Sequence, residues 1–325
     1  MNSLSGKSIL FFSPQFFSYE KEIKLAMEKL GAEVTWFDDR PSNSFISKVF
    51  IRLNKNSLKQ AIDSYYATIL QSVKDKKFDY VLFISPESVN KKSLKAFKLN
   101  FTGSKFILYM WDSFKNKQSF DLVEYFDSVL TFDSEDASEY KLSLRPLFYI
   151  DTYKQAEVEP TNDLLFIGTA HSDRYNFIKK FIEPFFEGKK IKLYFFLSSK
   201  KLYWLKKAFD SNFRRIKYSD VSFESLSHQD NANFMNASKM ILDINHPGQV
   251  GLTMRTIECI GAQKKLITTN SNIRDYDFFD PANILVIDRK DPQIDRSFLD
   301  TPFKPLPPNL LFKYSINGWL ADVLK

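Results

Sequence analysis

A chain of 325 residues, 44% hydrophobic and 26% charged, has globular composition and room for two ordinary domains of roughly 100–200 residues each. Its one cysteine, Cys259, excludes an internal disulfide and falls on an expected helix, where a buried structural thiol fits best. No apolar run approaches the ~20 residues that span a bilayer, and Met1 to Lys7 lacks the features of a signal peptide, so a cytoplasmic protein is expected.

The net charge of +7 is unevenly spread. Between Arg174 and Lys217, thirteen Lys and Arg stand against Glu183, Glu187 and Asp210, interleaved with aromatics such as Tyr194, Tyr203, Trp204, Phe209 and Phe213. An anionic membrane surface, a phosphate-bearing ligand or nucleic acid would each suit such a stretch. So would helices whose lysines are merely solvated and whose aromatic sides are core. No recognised nucleic-acid motif accompanies it, so nucleic acid is not the expected partner.

Taken in order, Ser8 to Phe12 reads as a strand ended by Ser13-Pro14-Gln15. A helix from Tyr19 to Leu30 stops at Gly31, and Ala32 to Phe37 is a second strand. A helix over Ser57 to Lys74 follows, then strands at Tyr80 to Ser85, Phe106 to Trp111 and Ser128 to Phe132, and a short helix at Glu135 to Leu142. Helical crossovers of this length make a mainly parallel, doubly wound sheet. Residues 1–150 form one such Rossmann-like domain. The polar, proline-containing segment Asp151 to Asp163 is the expected linker to a second, residues 151–325. That half opens with a strand at Leu164 to Ile167, a loop Gly168-Thr169-Ala170-His171-Ser172 and a helix at Asp173 to Phe186. Strands near Lys192 to Leu197 and Ile216 to Tyr218 and a helix near Asn231 to Ala237 come next. After a strand at Ile284 to Ile287, a proline-containing tail leads to a last helix at Tyr314 to Leu324, which is expected to pack back on the first domain.

The stretch Met240 to Thr269 organises the second half. An apolar strand ends at Ile244, a turn-rich loop runs from Asn245 to Leu252, Thr253 caps a helix reaching Ala262, and a strand returns at Lys265. Helix starts carry unpaired N–H groups and a positive dipole end, which favour phosphate. Arg255 in the first turn can fork onto phosphate oxygens, and Glu258 one turn on can accept from a ribose hydroxyl pair. The bland alternative is an ion pair between the two. The Gly168 loop offers a second helix start, with Ser172 as expected cap and Arg174 in its first turn. Two such starts suit a diphosphate better than one. His171 and His246 lie in these loops, but with His228 they lack metal-ligand spacing.

The order F-I-G-T…R at Phe166 to Arg174, then R-T-I-E-C-I-G-A…L-I-T from Arg255, resembles the GT-B glycosyltransferases, and within them the CgeB-like and related lipopolysaccharide or capsule transferases. Tyr109 to Ser113 and Asp127 to Asp133 share in the likeness. The resemblance implies two Rossmann-like domains facing a cleft, a nucleotide-sugar donor held by the second and a glycan or glycolipid acceptor held by the first. Donor residues would be Gly168, Arg174, His246, Gly251, Thr253, Arg255, Thr256 and Glu258; Ser13 and Gln15 would meet the acceptor. Retaining members carry two glutamates seven residues apart, the second at the Glu258 position, whereas the first position here is Val250.

Sugar transfer needs a base for the acceptor hydroxyl and positive charge for the leaving diphosphate, which arginines and helix starts supply without a metal or other cofactor. Asp112 and His171 are the catalytic candidates; the ordinary role of Asp112 is to cap the turn after its strand. Asp275-Tyr276-Asp277 matches a D-x-D metal motif, most simply by chance. A sugar-nucleotide epimerase of the same architecture and a basic nucleic-acid- or membrane-binding module are the competing readings. No G-x-G-x-x-G follows a strand, which argues against a Rossmann oxidoreductase.

Overall fold

The computed structural model describes residues 4–41, 59–117, 119–170, 173–246 and 250–325. The chain divides into two compact units, Met1–Pro146 with Ile316–Lys325, and Leu147–Ser315. Each carries a six-stranded, wholly parallel sheet.

In the first unit the strands are β1 (Ser8–Ser13), β2 (Glu33–Asp38), β3 (Tyr80–Ile84), β4 (Lys105–Met110), β5 (Ser128–Thr131) and β6 (Ser143–Leu144), ordered β2-β1-β3-β4-β5-β6. The helices are α1 (Tyr19–Lys29), α2 (Lys59–Val73), α3 (Lys91–Asn100) and α4 (Ser134–Glu139). Central strands here are buried on both faces, which is why they read as continuous apolar runs. Leu10, Phe12, Val81 and Phe83 pack against Ile62, Tyr66 and Ile69 of α2 and Leu94 and Phe97 of α3. Helix α3 is not apparent from the sequence, because its scattered lysines mask a stripe of Leu94 and Phe97. Its signal is Asn90, which caps the helix by accepting from Ser93 N–H at 3.0 Å. Gly31 follows α1 at φ 96°, and a Cβ there would meet Ser5 Cα at 2.9 Å, so glycine is required.

The second unit holds β7 (Asn162–Thr169), β8 (Ile191–Phe196), β9 (Val221–Ser222), β10 (Ser238–Asp243), β11 (Lys265–Thr268) and β12 (Ile284–Val286), ordered β12-β11-β10-β7-β8-β9. Its helices are α5 (Arg174–Phe177), α6 (Lys200–Phe209), α7 (His228–Asn236), α8 (Met254–Gly261), α9 (Arg296–Asp300) and α10 (Pro308–Tyr314). Asp151 to Asp163 lies within this unit and ends as the first residues of β7. The single helix expected over Asp173 to Phe186 is instead α5, a π turn at Ile178–Ile182 and a 3-10 turn at Glu183–Phe186. Pro184 has no N–H to continue the ladder, and widened and tightened turns absorb the break. The strand expected at Ile216 to Tyr218 is also corrected: Ile216 is a buried anchor whose carbonyl accepts from Tyr203 Oη at 3.0 Å, and the pairing strand is β9. After α10, the helix α11 (Ile316–Val323) belongs to the first unit, where fully buried Trp319 meets Tyr109 edge-on at 4.9 Å.

Carboxylates tie strand starts together in both units. Asp79 accepts from Lys7 Nζ at 2.8 Å and Ser8 N–H at 2.9 Å; Asp163 accepts from Lys239 Nζ at 2.8 Å and Lys190 N–H at 2.9 Å. The lysine hydrogen bond, first in each case, holds both carboxyls below their ordinary range. A depressed pKa in the fold stabilises it above the unfolded value of about 3.9, and that stability is lost as pH falls. Melting temperature should therefore drop on acidification from pH ~6 to ~3. The drop should be shallower in an Asp79→Asn/Asp163→Asn variant, and a variant tracking pH as steeply as the parent would clear both residues of the effect.

Candidate functional site

In the second unit the strand order reverses between β7 and β10, which lie side by side and parallel. Helices leaving two such strands go to opposite faces, so their first turns flank a crevice at the strand ends, where open α/β sheets bind ligands. Asp243, buried at the end of β10, accepts from the hydroxyls of Thr253 at 2.6 Å and Thr256 at 2.7 Å. Thr253 in turn caps α8 by accepting from Thr256 N–H at 3.1 Å. One carboxylate thus anchors the first turn of α8 to the strand before it. The loop between them is held from β11: Asn270 Nδ2 donates to the carbonyls of Val250 (3.1 Å) and Gly251 (3.4 Å), and Thr269 Oγ1 donates to Asn245 Oδ1 at 2.6 Å.

Two arginines gather at this edge. Arg174 opens α5 and donates to Thr169 Oγ1 at 3.4 Å. Burial lowers its pKa, Asp243 and Asp173 oppose that by attraction, and Arg289 adds to it by repulsion. Residues from three separate loops are therefore within electrostatic reach of one another. Arg289, just past β12, donates to the Asn245 carbonyl at 2.7 Å and to Asp173 Oδ1 at 2.5 Å, with its guanidinium 5.9 Å from the Phe177 ring. Nothing local in the sequence marks Arg289; its one signal is that it follows a strand at the same sheet edge. Guanidiniums beside a capped helix start offer the kind of charge and donor groups that suit an anion.

The other expected donor residues divide. Thr253, Thr256 and the buried Gly251 belong to the anchored loop and first turn of α8 just described. His246 is exposed at its rim. Gly168 lies inside β7 and not in the loop after it: a Cβ there would meet the Phe166 ring at 2.7 Å, so this glycine makes room for a core aromatic. Arg255 turns to α7, donating to Asn231 Oδ1 at 3.2 Å and to Met235 Sδ at 3.4 Å, and pairs with the buried Glu258 carboxylate at 2.8 Å. The ion pair that sequence left as the bland alternative is thus formed. His171 and Ser172 lie outside the described residues; the cap position of α5 is Asp173.

In the first unit the order reverses between β1 and β3. Ser13 ends β1 fully buried, its hydroxyl accepting from Trp36 Nε1 at 3.0 Å, while Gln15 is exposed beside Phe16 and Phe17. The Phe16 ring lies 5.7 Å from that of Trp111. Asp112 sits in the turn after β4, where Oδ1 accepts from Ser113 N–H and Asn116 Nδ2, both at 3.0 Å, and Oδ2 is 3.9 Å from Lys117 Nζ. That is the turn-capping geometry anticipated for it. The same edge holds a network that sequence does not reveal: buried Glu87 binds Arg40 at 2.7 Å and also Lys117, and Asp39 accepts from Tyr66 Oη and the N–H groups of Glu87 and Ser88.

Crystal structures resemble the chain over its whole length, two of them as follows. Anabaena Alr3699/HepE, solved with UDP and glucose, is 11% identical with a TM-score of 0.60, covering 98% of this chain and 99% of that one. A glycosyltransferase from Rickettsia africae ESF-5 is 12% identical with a TM-score of 0.61, covering 98% and 97%. The chain has the GT-B fold. No protein-family model matches the sequence, and no curated protein does.

Among the described residues no group of three or more His, Cys, Asp and Glu is arranged to hold a metal ion. Of the D-x-D match, Asp277 accepts from Lys313 Nζ at 2.5 Å and Tyr314 Oη at 2.6 Å, a structural role within the second unit.

Proposed function

We propose that the protein transfers a glycosyl group from a nucleotide-diphosphate sugar to a glycan or glycolipid acceptor, without a metal ion. The observation that carries this reading is the convergence of Arg174 and the capped start of α8 on Asp243, with Arg289 beside Arg174 and on the Asn245 carbonyl, at the strand-order reversal of the second unit. The shared fold supports it: Anabaena HepE has been solved with UDP and with UDP-glucose. Charge builds on the β-phosphate oxygens as the glycosidic bond breaks, and fixed guanidiniums and helix N–H groups stabilise it most at that moment. Arg255 and Glu258 are assigned to the same donor, at the diphosphate and the ribose. Asp112 is assigned as the base, its Oδ1 spent on the turn and its Oδ2 3.9 Å from Lys117 Nζ.

The test is a melting-temperature series with UDP, GDP, ADP and dTDP against UMP and inorganic phosphate. At 100 times its dissociation constant a diphosphate adds about 2.7 kcal/mol, a rise of roughly 4 °C at this size. UMP and phosphate should do far less. If no nucleoside diphosphate moves the transition, the donor site is refuted.

A further inference from the structure

We propose that α6 docks this protein on an anionic lipid bilayer. The charge run of the second unit proves to be two different things. Tyr203 and Phe213 are core residues, as solvated helices with aromatic inner faces require. Trp204, Leu205 and Phe209 are not: they are 62%, 57% and 82% exposed. On a helix, positions 204, 205, 208 and 209 fall on one stripe, so these three and Ala208 form a continuous apolar face over the last turn and a half, about 7.5 Å along the axis. Trp204 stacks on half-exposed Tyr218 at 6.2 Å and 22°, which widens the patch. Single exposed apolar residues such as Leu99 are ordinary; a contiguous aromatic stripe marks an interaction surface.

Charge identifies the occupant. Between Lys200 and Lys217 there are seven basic residues and one acid, Asp210. Asp210 is spent on Asn212 N–H at 3.0 Å and lies 3.5 Å from Lys206. Lys207 donates to the Arg214 and Ile216 carbonyls. Lys200, Lys201, Arg214, Arg215 and Lys217 are exposed around the stripe. Tryptophan, leucine and phenylalanine flanked by lysines is the composition of a helix lying in a membrane interface, apolar side among the acyl chains and ammonium groups at the headgroups. A nucleic-acid strand would pair with the basic groups and stack bases on the rings, but would give Leu205 and Ala208 no hydrocarbon to enter. A second copy would bring seven like charges against seven. No described helix is long and apolar enough to cross a membrane, so the contact is one of lying on the surface. It stands apart from the transferase reading, since vesicle binding is read without any substrate.

The experiment is cosedimentation of the full chain with vesicles of phosphatidylcholine alone and with about 30 mol% phosphatidylglycerol added. Binding to the anionic vesicles should be at least tenfold tighter and should fall with salt. A Trp204→Ser/Leu205→Ser/Phe209→Ser variant, altered only at exposed positions, should keep its melting temperature and lose more than tenfold. Lys200→Gln/Lys201→Gln/Arg214→Gln/Arg215→Gln should lose the anionic preference, roughly fivefold per group removed. The proposal is overturned if the parent stays in the supernatant, or if the serine variant sediments as the parent does. It is equally overturned if DNA binds more tightly than the vesicles, or if the parent is a dimer that the serine variant turns into a monomer.

Discussion

An Arg174→Ala/Arg289→Ala variant should retain its fold and lose measurable affinity for a nucleoside diphosphate. Each guanidinium donating to a phosphate oxygen contributes about 1.5–3 kcal/mol, so either single change should weaken binding roughly ten- to 150-fold. The two will not add cleanly, because they share partners and repel one another. Stability should hardly suffer. Asp173 is half-exposed and regains water when Arg289 goes, and relief of the guanidinium repulsion offsets part of the attraction that Arg174 loses to Asp243. Arg174→Lys should be nearly as damaging as alanine for binding, since an ammonium keeps the charge but not the planar fork. Calorimetric titration of UDP reads the affinity, and circular dichroism with thermal melting reads the fold. A double variant that melts and binds like the parent would remove this sheet edge from the donor site.

How much of this was legible beforehand depends on whether the signal was local. Helix and strand periodicity showed the alternating α/β layout, and the short-range logic of Thr253 capping a helix with Arg255 in its first turn is formed as read. Arg289 was invisible because its relevance comes from strand order: β12 reaches the same edge through β11 and β10, and nothing local to Asp288 or Lys290 says so. Gly168 misled for the opposite reason. A glycine near a strand end reads as a turn, but here the demand for it comes from the Phe166 ring two residues earlier on the same face. The helix after Asp173 was read through Pro184, whose missing N–H breaks it. In the basic stretch, sequence held both meanings open, because lysines alternate with aromatics whichever way the rings face. Only packing separates Tyr203, inside, from Trp204, outside.

Arg255→Ala should be the most destabilising single change at the candidate site, costing about 3–5 kcal/mol in chemical denaturation. The reason is what it leaves behind. Glu258 is buried, its carboxylate meets the Arg255 guanidinium at 2.8 Å, and alanine would take that cation away from a buried charge. The same guanidinium also holds Asn231 and touches Met235, so the register of α8 on α7 loosens with it. Arg255→Met/Glu258→Gln should recover most of the loss, since a neutral amide and an apolar side chain of similar length remove both charges together. That double variant also separates two roles that the single change confounds. With stability restored, a remaining drop in UDP affinity of about 1.5–3 kcal/mol reports the contact with ligand. An affinity equal to the parent's would make Arg255 and Glu258 a helix-packing pair and leave the diphosphate to Arg174, Arg289 and the start of α8. A single variant as stable as the parent would mean that the Arg255–Glu258 pair adds nothing to the packing of α8 on α7.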